Sequence, residues 1–365
     1  LVIQEIYLRG WRNINLAKLD LGRKISVFFG KNGQGKSNLL EAVYTLVAFR
    51  SFRTNSLSDV IRWENEAADL EGKITLRGFD RTLKLRIVPG KRQATLDEKS
   101  VRRDSEQLSG LGVVAFSPDD LDLAKGPAAE RRRYMDRIIF GIHRAYAREA
   151  VGFERALKAR NKLLKEGRNE TFLLGSYDDI LATTGARIVF LRKALVRELD
   201  ERFKRVFREI HSEKQVGIRY KTAEQFLNAE TESEIRNALA QALEATQNKD
   251  KYRGFTTVGP HTDDLDIRLE ARNAGKHGSQ GQLRSIVMAL KMAELELIAE
   301  KNAEQPVFIL DDVTSELDEE RRKKLLTALV TMSCQTLISV TERQNLPSLL
   351  ERKDWEVKEG CFFAF

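Results

Sequence analysis

The chain has 365 residues, 42% hydrophobic and 32% charged, which suits one large buried core or two smaller ones. That balance excludes a disordered chain, and no apolar run approaches the ~18 residues of a membrane helix. A net charge of +8 asks where the excess cations sit and what anion they meet.

The N-terminal stretch "LVIQEIYLRGWRN" lacks the apolar core and small-residue cleavage site of a secretion signal, so a cytoplasmic protein without membrane association is expected. Residues 1–30 hold two strand-like runs, "VIQEIYL" and "ISVFF". The second runs into "GKNGQGKS", residues 30–37. Gly30, Gly33, Gly35, Lys36 and Ser37 fit the G-x-x-x-x-G-K-[ST] phosphate loop, with a strand before it. After it, Leu39, Leu40, Val43, Leu46 and Val47 mark the inner face of a helix. Glycines let the backbone curl until successive N–H groups of Gly30, Lys31, Asn32, Gly33, Gln34, Gly35, Lys36, Ser37 and Asn38 face phosphate oxygens. Lys36 would meet the β- and γ-phosphates, and Ser37 would offer its hydroxyl to Mg²⁺.

Three short strands follow over 70–97, parted by "GFD" and "PGK" turns. From about 127 the period becomes helical, with Ile188, Leu191, Leu195, Leu199, Phe203, Val206 and Ile210 at threes and fours. Pro127 to Lys214 carries 21 Lys and Arg against 13 Asp and Glu, so this segment holds the whole charge excess and nucleic acid is the expected partner. Arg131, Arg132, Arg133, Arg137, Arg144 and Arg148 read as one helix, with Arg137, Arg144 and Arg148 on one face. Such a row suits DNA phosphates, and the scarcity of interleaved aromatics favours duplex or gapped DNA over single strands. Strand signals resume at "VGIRY", "DDLDIRL", "PVFILDD" and "TLISVT", with a helix over about 281–301. The fold class expected is α/β, an outer domain of residues 1–126 and 252–365 interrupted by a helical insertion at 127–251. Cys334 and Cys361 are too few for a disulfide framework or a zinc site.

"PVFILDD" ends an apolar strand in Asp311 and Asp312, where the C-terminal end of a parallel strand would lie beside the phosphate loop. Asp311 suits Mg²⁺, and Asp312 suits a base for the attacking water, making Lys36, Asp311 and Asp312 the candidate catalytic set. Ser279, Gln280, Gly281 and Gln282 open the helix over about 281–301 with a small hydroxyl residue, creating a second helix N-terminus that favours anions.

Ser-x-Gly-Gln ahead of "ILDD", followed by "SELD" at 315–318, resembles the signature motif, Walker B and D-loop of ABC-type ATPases. Together "FFGKNGQGKSNLLEAVY", "FRSFRT", "FSPDDLDLAKGPAAERRRYMD", "GPHTDDL", "SQGQLRS" and "LDDVTSELD" narrow the resemblance to the RecF family of bacterial recombinational repair proteins, related to SMC and Rad50 heads. The resemblance implies an ABC-type (SMC/Rad50-like) P-loop ATPase head with an inserted helical arm, using ATP and Mg²⁺. It further implies an ATP-dependent homodimer in which Lys36, Ser37, Asp311 and Asp312 act in cis and Ser279, Gln280, Gly281, Ser315 and Asp318 in trans. Work on gapped DNA with RecR, RecO and RecA is implied as well.

Transporter relatives usually carry Glu at the place of Asp312 and His at that of Thr341, so slow hydrolysis and a switch are expected. Thr262 of "GPHTDD" stands where the family pattern has Arg, no Q-loop glutamine lies between Gln34 and Gln93, and His261 reads as structural. Among other classes, a transporter ATPase would not carry the basic helical insertion. An SMC or Rad50 protein would carry a far longer heptad arm, and a small-molecule kinase would have no use for a trans signature.

Overall fold

The computed structural model describes all residues except 103, 144, 168–170, 212–213, 313–332 and 346–351. Along the first third lie β1 (Val2–Trp11), β2 (Ile14–Asp20), β3 (Ile25–Phe29), α1 (Lys36–Ala48), β4 (Ala68–Leu76), β5 (Phe79–Val88), β6 (Lys91–Leu96), β7 (Lys99–Ser100) and β8 (Val113–Phe116). Helices then dominate: α2 (Asp122–Lys125), α3 (Ala128–Ile142), α4 (Tyr146–Lys165) and α5 (Thr171–Ile210). After β9 (Val216–Lys221) come α6 (Glu224–Asn228), α7 (Glu232–Arg253), β10 (Asp264–Leu269), β11 (Arg272–Asn273), α8 (Ala274–His277) and α9 (Gln280–Asn302). The last elements are β12 (Val307–Leu310), β13 (Thr336–Val340), β14 (Arg352–Lys358) and β15 (Cys361–Ala364).

The described residues form two compact units, one of Leu1–Leu121, Arg205–Lys214 and Gly278–Phe365, the other of Asp122–Lys204 and Gln215–His277. In the first, an antiparallel sheet ordered β2-β1-β4-β5-β6-β7 and a largely parallel sheet ordered β15-β14-β3-β13-β12-β8 enclose α1. Their shared core runs from Ile3, Leu8 and Trp11 through Leu39, Val43 and Leu46 to Val307, Ile309 and Leu337, all buried. β12 and β13 are buried at every residue, as strands covered on both faces must be, so each reads as an unbroken apolar run. Parallel pairing of β3 with β13, and of β13 with β12, brings the ends of "ISVFF" and "VFIL" to one edge although about 280 residues separate them.

The second unit holds α2, α3, α4, most of α5, α6, α7 and α8 with a small sheet ordered β11-β10-β9. β10 alternates partly buried and buried residues, the pattern of a strand with one covered face. It pairs antiparallel with β9 and contributes to neither large sheet, although its sequence signal resembled that of the head strands. None of the described helices is long and apolar enough to cross a membrane.

Candidate functional site

The loop from β3 to α1 turns on glycines with φ of 147° at Gly30 and 115° at Gly35. A Cβ at Gly30 would lie 2.5 Å from the Val357 carbonyl oxygen, and one at Gly35 would press on the Asn13 amide at 3.0 Å, so both positions need glycine for space as well as backbone. α1 starts with Gly35 as N-cap, no side-chain cap and no acid in its first turn, leaving its N–H groups available to an anion. Lys36 is buried and folds back on the loop, donating to the carbonyls of Gly30 and of Lys31, the latter at 2.8 Å. Burial pulls its ammonium below the ordinary lysine range, and the carboxylates of Asp312 and Asp311 oppose that shift.

Opposite the loop, Asp311 Oδ1 accepts from Ser37 Oγ at 2.8 Å and from Ser339 Oγ at 2.6 Å, while the Asp312 N–H donates to Ser339 Oγ at 2.8 Å. Burial raises the Asp311 carboxyl above the usual range, against the lowering by these two hydroxyls. Asp312 follows in the left-handed region at φ 51°, which turns the chain sharply out of the strand. Thus Lys36, Ser37, Asp311 and Asp312 line one cavity of about 400 Å³, together with Asn32, Gly33, Gly35 and Asn38. A larger cavity of about 1190 Å³ touches the loop's outer side at Gly30, Lys31 and Gln34 but includes neither acid nor Lys36 and Ser37, so the chemistry belongs to the smaller one.

Five contributors escaped the sequence reading. Arg53 of "FRSFRT" lines the cavity, donating to Asn38 Oδ1 at 2.7 Å, and lies 3.4 Å from fully buried Glu41 on α1. Arg12 also grips Glu41, through two hydrogen bonds of 2.9 and 2.7 Å. Ser117 and Asp119, just after β8, also line the cavity, as does Ser339 of β13. Asp120 of the same turn accepts from the Ser117 N–H at 2.8 Å and pairs with buried Lys291 of α9 at 2.8 Å. "FRSFRT" and "FSPDD" were the available signals; nothing local marked Ser339.

Ser279 caps α9: its hydroxyl accepts from the Gln282 N–H, and the Gln282 side chain accepts from the Ser279 N–H at 2.9 Å. Ser279 and Gln280 are exposed, and neither they nor Gly281 and Gln282 line the phosphate-loop cavity. Ser315 and Asp318 lie outside the described residues.

The arginine row is not one helix. Arg131, Arg132, Arg133 and Arg137 belong to α3, which stops at Ile142, whereas Arg148 belongs to α4, and Arg144 lies outside the described residues. The Tyr146 hydroxyl donates to Asp136 Oδ1 at 2.6 Å, tying the start of α4 back to α3. Arg131 is held by Asp264 through bonds of 2.6 and 3.0 Å, Arg132 donates to the Asp263 carbonyl at 2.7 Å, and Arg133 pairs with Glu130 at 2.5 Å. Internal partners therefore hold the first three. Thr262 donates to the Gly259 carbonyl at 2.8 Å, and the His261 ring contacts the Thr256 carbonyl at 3.0 Å beside Phe153, both within the loop's own structure.

A parallel sheet carrying a phosphate loop beside a strand-end acid pair, with an antiparallel sheet against α1 and a separately capped α9, defines an ABC-type P-loop ATPase head of the SMC kind. The chain matches the family described as RecF/RecN/SMC N terminal domain over residues 2–352. SMC heads bound to ScpA domains share the fold, with TM-scores of 0.58 and 0.59 at 13% and 14% identity. The chain belongs to the RecF family. It is 37% identical to the DNA replication and repair protein RecF of Myxococcus xanthus (strain DK1622), covering 92% of this chain and 90% of that one. The corresponding protein of Geotalea daltonii is 34% identical over 98% of both. A solved structure of the recombination mediator protein RecF-ATP in the RecFOR pathway superposes with TM-score 0.91 at 29% identity, covering all of this chain and 97% of the other.

Proposed function

We propose that this protein is an ATP-dependent DNA-binding switch of recombinational repair, whose two heads close on ATP and reopen after slow hydrolysis. The convergence of the Ser37 and Ser339 hydroxyls on one carboxylate oxygen of Asp311, across from the open end of α1, carries this reading. The residues fit ATP with Mg²⁺: a glycine loop that a Cβ would obstruct, an uncapped helix start, and hard oxygen donors from one carboxylate and two hydroxyls, the sparse protein set that Mg²⁺ takes beside phosphates. Bound ATP with Mg²⁺ supplies the phosphoanhydride and the charge neutralisation its cleavage requires. Lys36 presents its ammonium to the terminal phosphates, Ser37 and Asp311 hold the metal, and the Asp312 carboxylate accepts the proton of the attacking water. The relatives' names, DNA replication and repair protein RecF and recombination mediator protein of the RecFOR pathway, support work in DNA repair; duplex or gapped DNA, with RecR, RecO and RecA as partners, completes the proposal. This reading takes residues 127–251 as the helical arm, and a second compact unit of Asp122–Lys204 and Gln215–His277, which covers most of that span, supports it.

Gel filtration without nucleotide, with ADP and with ATP, with and without a short duplex, tests the switch; an elution volume indifferent to ATP would refute it. Asp312→Asn keeps size and hydrogen bonding but removes the base. It should bind ATP, accumulate the dimer and turn over about 100-fold or more slowly. Wild-type turnover in that variant would take the proton-accepting role from Asp312.

Ser279→Arg sets a bulky cation on the exposed signature and should leave ATP binding intact while the protein stays monomeric. Each phosphate neutralised contributes roughly −0.9 to the slope of log affinity for duplex against log salt, so the variant should keep the shallow slope of nucleotide-free protein. Because the change also removes a helix cap worth roughly 1 kcal/mol, Ser279→Ala serves as control: it loses the cap without the bulk and should still dimerise. Full ATP-dependent affinity and slope in Ser279→Arg would refute closure through the signature.

A further inference from the structure

Three helix ends meet at one end of the second unit. α4 finishes at Lys165, α7 at Arg253, and α5 begins at Thr171. Fully buried Arg160 of α4 ties them: its guanidinium donates to Asp178 of α5 at 2.6 Å, to Asp250 of α7 at 2.8 Å and to Thr256 Oγ1 at 2.9 Å. Asn161 Oδ1 then accepts from the Thr256 N–H at 2.8 Å, and a Cβ on Gly254 would stand 3.8 Å from the Lys165 Cα. Phe172 precedes Asp178 by six residues, about 9 Å of helical rise. Segments 161–167, 172–178 and 249–257 therefore share this end.

Its surface is basic and aromatic together. The three segments contain five Lys and Arg and three Asp and Glu, and two of those acids, Asp178 and Asp250, face inward onto Arg160. Lys162, Lys165, Lys249 and Arg253 are exposed. Cations at helix C-termini are ordinary, since they offset the helix dipole, and by themselves imply no ligand. The rings have no such explanation: Tyr252 is 93% exposed, Phe172 85% and Phe255 48%.

We propose that this end of the helical unit is a binding site for single-stranded nucleic acid, with Phe172, Tyr252 and Phe255 stacking on unpaired bases while Lys249, Lys251 and Arg253 meet the phosphates. Exposed rings among flexible cations match a strand whose bases are free to stack; in a duplex the base faces are already covered, and the rings would gain little. The site is separate from the α3 arginines and stands whether or not ATP closes the heads.

The test uses the full chain without nucleotide, titrated into fluorescein-labelled dT20 and into a 20-base-pair duplex, followed by anisotropy. Phe172→Ala/Tyr252→Ala should weaken dT20 binding about tenfold or more, with less than a twofold change for duplex, and Tyr252→Trp should retain the affinity. Lys249→Ala/Lys251→Ala/Arg253→Ala should lower the log–log salt slope on dT20 by about 2. Both removed rings are exposed, so loss of folding would not account for the change. Wild-type protein that fails to bind dT20 at roughly 50 mM salt, unchanged affinity in the ring variant, or an equal loss on duplex overturns the proposal.

Discussion

Lys36→Ala is expected to abolish ATP binding at micromolar concentrations. An ammonium about 3 Å from a phosphate oxygen attracts it by about 5 kcal/mol at an effective dielectric of 20. Much of the opposing desolvation is already borne by the folded protein, because Lys36 is buried and its basicity is depressed by that burial before any ligand arrives. Exchanging its loop carbonyl partners for phosphate oxygens thus costs little further dehydration. A loss of about 1,000-fold, or about 4 kcal/mol, is the expected scale. Lys36→Arg should retain weak binding but hydrolyse poorly, since a planar guanidinium misfits a pocket shaped around a compact ammonium. Anisotropy of a fluorescent ATP analogue, with a melting curve to confirm folding, decides the matter; wild-type affinity in Lys36→Ala would remove the loop from the nucleotide site.

Arg160→Met should destabilise the helical unit by about 3–5 kcal/mol, the usual cost of leaving a buried acid without its partner. Arg160 and Asp250 are both fully buried as side chains, and Asp178 is partly so. Asp250 would keep the Thr257 N–H and hydroxyl at 3.0 and 2.7 Å, which hold only its other oxygen. Adding Asp250→Asn to Arg160→Met removes the stranded charge and should recover part of the loss, a coupling readable in a double-mutant cycle. Urea unfolding followed by circular dichroism measures both. A shift below about 1 kcal/mol in the single variant would mean that water or rearranged neighbours replace the guanidinium.

Legibility in the sequence tracked the distance over which each feature is built. The phosphate loop was readable because Gly30 to Ser37 and the helix behind them are contiguous. β12 and α9 were readable because a strand buried on both faces and a long buried helix leave strong apolar runs. Ser339 was not, because its role depends on β13 lying between β12 and β3, a fact of pairing that no local pattern carries. β14 and β15 passed unnoticed: "RKDWEVK" alternates weakly, and its place beside β3 is settled by parallel pairing with Ile25 to Phe29. α7 was missed although "TESE" spells its capping box, Thr231 with Glu234. The arginine row failed for the opposite reason. Its spacing was real, but Tyr146 on Asp136 and Arg131 on Asp264 favour a broken path that sequence spacing alone does not reveal.

The strand that presents the phosphate loop has neighbours made very late. β3 pairs on one side with β13 and on the other with β14, and the turn after β14 clasps the loop itself: the N–H groups of Gly360 and Glu359 donate to the Gln34 carbonyl and side chain at 2.8 and 2.7 Å. Ile25 meets Thr336, so at ~5–20 residues per second a ribosome needs roughly 15–60 s between making the one and the other. Throughout that interval both edges of an almost wholly apolar strand lack their eventual partners, and the loop lacks its clasp. The nascent protein thus exposes an adhesive strand while it grows, and its yield in a cell should depend on chaperones that cover such segments more than the stability of the finished head would suggest.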